Sequence, residues 1–139
     1  MVERNSTEWR DWLEYAKNDR ELGNTLVESS NPCAARGIAQ AAHQMAEHSL
    51  EAAYLFFAHK MPPKTHDLAG LARFVQRKKA LFTKEEMLFP GVLHKYFMPL
   101  KYPQSVASLP TYEKAKELFN RASSLLARIE AELGGGAGT

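Results

Sequence analysis

Apolar residues recur along most of this chain at steps of three and four positions, the spacing of one face of an α-helix. The first such stripe lies between Ser6 and Ser29, and the clearest one runs from Ala115 to Leu133. No segment shows the strict alternation of a half-buried β-strand. The pattern therefore predicts an all-helical protein. The members of the first stripe are Trp9, Trp12, Leu13, Ala16, Leu22, Leu26 and Val27.

The ends of the first two helices are marked by residues that favour helix termini. Ser6 or Thr7 is expected to cap helix one, because their hydroxyl oxygens accept hydrogen bonds from free backbone N–H groups. Asn31 followed by Pro32 predicts the start of helix two, since proline is tolerated in a first turn. Helix two is expected to run to about His59.

Two shorter helices are expected in the middle of the chain. Thr65 is the predicted cap of a third helix, and Thr83 with Glu86 has the capping-box spacing for a fourth. Pro90 and Gly91 interrupt this fourth segment, so residues 89–98 form either one kinked helix or two.

The remaining boundaries are assigned from proline and glycine. Residues 99–110, bounded by Pro99 and Pro110, are expected to form a loop. The last helix is expected to stop at Gly134, and residues 134–139 to form a flexible glycine-rich tail.

Together these segments predict an all-α protein, an up-and-down antiparallel bundle of four to five helices in which residues 1–133 form a single domain. Aromatic residues are abundant near helices one and two, and self-association is expected to bury those that one thin bundle leaves exposed. The aromatic set is Trp9, Trp12, Tyr54, Phe56 and Phe57.

Composition narrows the class of protein further. The 139 residues are 45% hydrophobic and 24% charged, as in ordinary globular domains. The sequence has no membrane-spanning stretch and no signal-peptide core, so a cytoplasmic location is expected. Cys33 is the single cysteine, which excludes an internal disulfide and a cysteine-rich zinc site.

Charge is distributed unevenly although the net charge is only +2. Residues 1–30 contain four basic and seven acidic side chains, whereas residues 73–101 contain seven basic and two acidic ones. The basic side chains favour either a phosphate-rich partner or an ordinary solvated turn. Those nearest one another in sequence are Arg73, Arg77, Lys78, Lys79 and Lys84.

Several motifs occur in an order that resembles the HEPN domain, the higher eukaryotes and prokaryotes nucleotide-binding domain. Helix one is led by tryptophan and carries Ala16 and Asp19; the chain ends with Tyr102-Pro103, a polar loop and a long helix. The resemblance covers about residues 9–133. The motif residues between these ends are Gln44, Ala46, Glu47, Leu50, Ala52, Pro63, Thr65, His66, Asp67 and Leu68.

The sequence departs from the family pattern at three positions. Arg20 follows Asp19 where leucine is common, and His48 stands where lysine is common. Lys101 replaces the commoner arginine before Tyr102, which puts bidentate phosphate binding in doubt because an ammonium is a point charge.

Family members that cleave RNA carry an arginine followed, after about four to six residues, by a histidine near the late helices, as the resemblance implies. Residues 94–110 contain no arginine. Arg36 and His43 have the required spacing, since seven positions along a helix bring both to roughly one face about 10 Å apart. They are the candidate catalytic pair, but they lie in early helix two.

Other candidate site residues come from the shared motifs. The resemblance implies nucleotide or RNA binding at Gln44, Glu47, His66, Asp67, Lys101 and Tyr102. The spacing of His43, Glu47 and Glu51 is that of half a bundle metal site, but the Glu-x-x-His partner motif is missing. No metal or cofactor is therefore expected, and a polar strip satisfied by neighbouring helices is the alternative.

The leading hypothesis is a dimeric accessory HEPN protein that, as the resemblance implies, pairs with a minimal nucleotidyltransferase in a toxin–antitoxin type arrangement. One alternative is an RNA-cleaving toxin, a metal-independent endoribonuclease that uses Arg36 and His43 or a set including Lys101 and Tyr102. Another is a helical interaction scaffold without nucleotide or RNA partners.

Overall fold

The computed structural model describes residues 6–63, 67–103 and 106–137. Within these ranges the chain is all-α and contains no strand, which confirms the predicted class. Six α-helices are present where four to five were expected. They are α1 (Trp9–Glu28), α2 (Ala35–Ala58), α3 (Leu68–Lys78), α4 (Lys84–His94), α5 (Phe97–Lys101) and α6 (Tyr112–Ala137), with short 3-10 turns at Pro32–Ala34 and Val106–Ser108.

Helices α1 and α2 form a hairpin that begins and ends close to the predicted positions. Glu8 occupies the N-cap position of α1, so the predicted cap at Ser6 or Thr7 is wrong. The Ser6 hydroxyl instead accepts a hydrogen bond from the Glu8 N–H. Asn31 does accept a hydrogen bond, from the backbone N–H of Cys33, before the 3-10 turn that leads into α2.

The capping box of α4 is confirmed, because Thr83 accepts from the Glu86 N–H and Glu86 accepts from the Thr83 N–H. The cap of α3 is Asp67, whose carboxylate accepts from the Gly70 N–H at 3.0 Å. The prediction that Thr65 caps this helix is therefore wrong, since Asp67 occupies the N-cap position. Thr65 itself lies outside the described residues.

The prolines interrupt the chain less than the sequence indicates. Helix α4 continues through Pro90, which is buried, and the break falls at Lys95 and Tyr96 instead. Pro99 lies in the first turn of α5, where its missing N–H has no helical partner to lose. Of the two alternatives for residues 89–98, the structure therefore has two helices, although the break does not fall at Pro90 and Gly91. The predicted loop from Pro99 to Pro110 contains part of α5 and a 3-10 turn.

Helix α6 does not stop at Gly134 but continues to Ala137. A glycine ends a helix effectively when it adopts a left-handed conformation. None of the described glycines has a positive φ. The chain there keeps its helical path.

The core is organised around α2, which packs extensively against α1 and α6 and also contacts α3 and α5. Small side chains on α2 permit this close approach from several directions, because alanine adds little width to a helix. The fully buried ones are Ala39, Ala42, Ala46, Ala52 and Ala53. A bidentate ion pair between Arg20 and Glu130 also joins α1 to α6.

The predicted aromatic cluster packs within the bundle. Tyr54 is buried, and Trp9 meets Phe56 edge to face with ring centroids 5.4 Å apart. Trp9, Trp12, Phe56 and Phe57 are partly buried against the core, so the bundle itself covers much of this aromatic surface. Among the described residues, the large apolar side chains that remain exposed are others: Tyr15, Leu22, Leu88, Met98 and Tyr102. Among the described helices, none combines the length and apolarity needed to cross a bilayer.

Candidate functional site

A cleft of about 510 Å³ lies between α1 and α5, with α2 forming its floor. One side of the cleft is formed by Asp19, Leu22 and Leu26, which share a face of α1 because they are three and four positions apart. The end of α5 forms the other side. The lining therefore combines carboxylates, amides, an imidazole and an ammonium with leucine side chains. The lining residues are Asp19, Leu22, Leu26, Gly37, Gln40, Ala41, His43, Gln44, Glu47, Leu100 and Lys101.

Four of the predicted site residues meet in this cleft. His43 and Gln44 reach it from one turn of α2 and Glu47 from the next turn, and Lys101 reaches it from the end of α5. Gln44 is exposed, whereas His43 is only 7% exposed. Lys101 is far from the other three residues in sequence but is brought beside them because α5 packs against α2.

Arg36 lies at the edge of the cleft and holds α5 in place. Its Nη2 atom donates to the carbonyl oxygen of Leu100 at 2.8 Å, and the Gln40 side-chain amide donates to the same oxygen at 3.0 Å. That carbonyl is among the last of α5, which have no partner within the helix. Two side chains of α2 thus donate hydrogen bonds to a backbone carbonyl oxygen at the C-terminal end of α5.

The remaining predicted binding residues are placed differently. Tyr102 is exposed and lies next to Lys101, whose Nζ atom is 5.8 Å from the tyrosine ring centroid. Asp67 caps α3 and lies 3.7 Å from an Arg73 nitrogen, and it does not line the cleft. His66 lies outside the described residues.

A polar contact between largely buried side chains joins α1 to α2 beside the cleft. His48 Nδ1 lies 2.7 Å from Asp19 Oδ2, and both side chains are largely buried. The rings of Trp12 and Tyr15 flank the imidazole at centroid distances of 6.0 and 5.6 Å. This histidine is therefore enclosed by aromatic side chains and a carboxylate.

The pKa of His48 is raised above its ordinary value of 6.5. Burial alone lowers this pKa, but the hydrogen bond and charge of Asp19, together with the charges of Glu51 and Glu47, outweigh burial. The protonated form of His48 is thus favoured at this position.

Glu51 lies one turn further along α2 in an environment that disfavours its charge. Burial raises its pKa to about 7, the charge of Glu47 raises it too, and His48 partly opposes both. The Oε2 atom of Glu51 is buried without a hydrogen-bond partner among the described residues. A proton on this carboxyl group therefore lessens the cost of its burial.

The spacing of His43, Glu47 and Glu51 suggests half of a metal site, but the described residues do not supply the other half. In the part of the chain that the structure describes, no group of three or more His, Cys, Asp or Glu side chains is arranged to hold a metal ion. Glu47 and Glu51 instead act on each other and on His48.

The basic side chains around the α3–α4 turn are partly engaged by neighbours. Lys79 pairs with Glu132 at 2.7 Å, and Lys78 lies 5.4 Å from the Phe74 ring centroid. Arg73 faces Asp67. Much of this group therefore contributes to contacts within the bundle.

Asp19, Gln40 and Leu100 also belong to this region, although the sequence patterns predict no site role for them. In the sequence, Asp19 is only part of a motif, and His48 is only a departure from one. The helical hairpin offered a usable signal, because antiparallel helices bring together positions about equally far from the turn. Counted from the connection between Ser29 and Ala34, that rule places Asp19 beside Gln44, one turn before its actual partner His48.

These observations define the class of protein: an all-α bundle with a polar cleft between its first two helices and a short late helix. The HEPN domain matches residues 9–132, and the chain therefore belongs to the HEPN domain family. The resemblance inferred from the sequence is confirmed.

A solved structure supports the same fold. The crystal structure of TT1696 from Thermus thermophilus superimposes with a TM-score of 0.69 and 24% sequence identity, covering 92% of this chain and 100% of that one. At this identity the likeness shows the fold alone. No curated protein matches the sequence significantly.

Proposed function

We propose that this chain is a non-catalytic accessory HEPN protein that forms a homodimer and pairs with a minimal nucleotidyltransferase encoded as a separate chain. Family membership and the polar cleft support this proposal. In it the nucleotidyltransferase performs the chemistry, while the cleft takes part in binding nucleotide or RNA through Gln44, Glu47 and Lys101.

The observation that carries the non-catalytic assignment is the hydrogen bond from Arg36 to the Leu100 carbonyl at 2.8 Å. A catalytic arginine must present its guanidinium to a phosphate, but this one supports the end of α5. His43, its partner by spacing, is 7% exposed, which restricts its access to a ribose hydroxyl. The late segment from 94 to 110 supplies no other arginine.

Pairing is tested by affinity purification of the tagged full chain, expressed together with its neighbouring genes, followed by identification of the proteins that purify with it. We expect the two chains to purify together, and light scattering to give a mass containing two copies of this chain. A tagged chain that purifies as a monomer without nucleotidyltransferase contradicts the proposal.

Binding in the cleft is tested with two probes, ATP and a short single-stranded RNA. Lys101→Ala is expected to weaken binding by about 3- to 10-fold, because one charge-assisted phosphate contact is lost. Lys95→Ala is the matched control, since Lys95 is also an exposed lysine but does not line the cleft. Equal losses in both variants, or no binding of either probe, favour the scaffold hypothesis.

One observation favours the ribonuclease alternative: His43 and Lys101 line the same cleft, with Arg36 at its edge. An imidazole and cations near a phosphate are what metal-independent RNA cleavage needs. This alternative predicts growth arrest on expression and its loss in His43→Ala. Our proposal expects neither arrest nor RNA cleavage by the unaltered chain.

A further inference from the structure

Four titratable side chains form one connected group at the cleft. Two of them, Asp19 on α1 and Glu47 on α2, line the cleft itself. The other two, His48 and Glu51, lie behind these on α2; the His48 side chain is only 16% exposed, and the Oε2 atom of Glu51 is buried. A ligand in the cleft therefore contacts the front pair and acts on the rear pair through its charge.

The members of this group are close enough to influence one another. His48 Nδ1 contacts Asp19 Oδ2 at 2.7 Å across the α1–α2 interface. Glu47 and Glu51 are four positions apart, which is about 6 Å along the axis of α2. Charges at such separations interact strongly where burial limits the screening by solvent. The protonation of one group therefore depends on the charge of the others.

Glu51 is the member whose negative charge has the least support. Its Oε2 atom has no hydrogen-bond partner among the described residues, and Glu47 opposes a second negative charge. The described charges that act on Glu51 are those of Glu47 and His48, and those that act on His48 come from Asp19 and the same two glutamates. The ring of Tyr15 also faces the imidazole.

This setting leaves the proton of Glu51 finely balanced. Burial and the charge of Glu47 raise the pKa of Glu51 to about 7, so its carboxyl group is partly protonated at neutral pH. A further negative charge nearby shifts this balance towards the protonated form.

The charges of the cleft lining bring an anionic ligand close to this group. Lys101 supplies an ammonium from α5, whereas Asp19 on α1 and Glu47 on the floor supply two carboxylates. A phosphate held by Lys101 therefore lies in the field of Glu47 and, one turn behind it, of Glu51. A proton on Glu51 removes the part of the repulsion that Glu51 causes.

We propose that the cleft binds an anionic nucleotide or RNA together with a proton, which Glu51 takes up. This inference rests on the binding role of the cleft in the proposed function and adds its regulation, since the affinity for the anion rises as pH falls. The two effects imply each other: a ligand that makes Glu51 hold its proton more tightly must itself bind more tightly when Glu51 is protonated.

A trend in the same direction also follows from an imidazole that gains a proton. His43 lines the cleft and His48 lies beside it, so the pH dependence of the unaltered chain does not by itself identify the group. Glu51→Gln makes the distinction, because glutamine has nearly the shape of a protonated glutamate and does not titrate.

The experiment measures dissociation constants by isothermal titration calorimetry near pH 6 and near pH 8, with ATP and a short single-stranded RNA as probes. Glu51→Gln is expected to bind about 3- to 5-fold more tightly than the parent near pH 8 and equally near pH 6. Comparing the two proteins at one pH cancels any titration of the probe. Glu21→Gln, at an exposed carboxylate outside the cleft, is the matched control and is expected to keep one ratio to the parent at both pH values.

NMR of the Glu51 side-chain carboxyl carbon tests the proton directly in the unaltered chain. Its pKa is expected to be higher in the presence of saturating probe than in its absence, because the bound anion favours the neutral carboxyl group. This measurement needs no substitution. Circular dichroism of Glu51→Gln and Glu21→Gln checks that both variants are folded.

The outcomes separate this inference from the proposed function. If Glu51→Gln and the parent lose affinity equally between pH 6 and pH 8, or if bound probe leaves the pKa of Glu51 unchanged, the proton belongs to another group and only this inference is overturned. If neither probe binds at either pH, both the inference and the binding role of the cleft are overturned, and pairing with the nucleotidyltransferase keeps its own test.

Discussion

His48 and Asp19 join the first two helices through a contact of 2.7 Å between an imidazole nitrogen and a carboxylate oxygen. The pair is only 16% and 19% exposed, so solvent screens it less than it screens an ion pair on the surface. Trp12 and Tyr15 surround the imidazole and restrict its movement. The contact therefore helps to hold α1 in register with α2 beside the cleft.

Replacing His48 with alanine is expected to lower the free energy of unfolding by about 1–3 kcal/mol, because the partly buried Asp19 carboxylate loses a charge-assisted hydrogen bond. Urea unfolding measures this change. Lys17→Ala is the control, since Lys17 pairs with Glu14 at 3.8 Å with both side chains much more exposed, and its expected effect is below about 1 kcal/mol. Equal losses in both variants rule out a special role for the buried pair.

Glu51 makes the stability of the bundle depend on pH. Its pKa of about 7 in the folded chain exceeds the ordinary value of 4.5, so the folded state binds more protons between these values. The free energy of unfolding therefore falls as pH rises through this window. His48 adds to the same trend, because its pKa is raised and its contribution is lost as pH rises through the folded pKa.

Glu51→Gln is expected to remove most of the Glu51 contribution. After discounting for partial exposure, the variant is expected to be more stable than the parent by roughly 1–2 kcal/mol near pH 8, with little difference near pH 4.5. Urea unfolding at both pH values measures the change. Glu21→Gln, at an exposed carboxylate of α1, is the control and is expected to alter neither value. A parallel pH dependence in Glu51→Gln and the parent contradicts the assignment.

The fold was largely predictable because the helices are amphipathic, and because Asn31 before α2 and the Thr83–Glu86 box of α4 mark two of the helix starts. The boundaries that failed depend on context. A proline usually predicts a break in a helix, but Pro99 is compatible with the first turn of α5. Gly134 continues a helix because nothing there requires the left-handed conformation that ends one.

The site was less predictable because its parts come from separate segments. The motif residues Gln44 and Glu47 line the cleft as adjacent turns of one helix, which spacing alone can indicate. The approach of Lys101 depends on how α5 docks on α2, and that docking rests on Arg36 and Gln40 binding one carbonyl. Sequence spacing carries no information about such a contact.

Asp67 illustrates how a shared motif residue can have a structural role. Asp67→Ala is expected to lower the free energy of unfolding by about 1 kcal/mol, because the Gly70 N–H loses its cap. Asp67→Asn keeps an oxygen acceptor and is expected to stay within about 0.5 kcal/mol of the parent. Both variants should bind ATP like the parent, since Asp67 does not line the cleft; weakened ATP binding in both, with unchanged stability, assigns Asp67 to binding instead.

Two helical glycines offer a matched test of packing. A Cβ atom at Gly23 would overlap the ring of Phe119, so this ring on α6 fills the space beside Gly23 on α1. Gly23→Ala is therefore expected to lower the free energy of unfolding by about 1–3 kcal/mol, because Phe119 must leave its buried position. Thermal and urea unfolding both report this loss.

Gly91 lies within α4, and a Cβ atom there would meet no neighbouring side chain within 4 Å. Gly91→Ala is expected to raise the free energy of unfolding by about 0.5–1 kcal/mol, since alanine favours the helix and reduces the freedom of the unfolded chain. Opposite signs at the two glycines distinguish close packing from helix propensity. Stabilisation by Gly23→Ala means that α1 and α6 are further apart than this fold places them, and that the Arg20–Glu130 ion pair spans a looser contact.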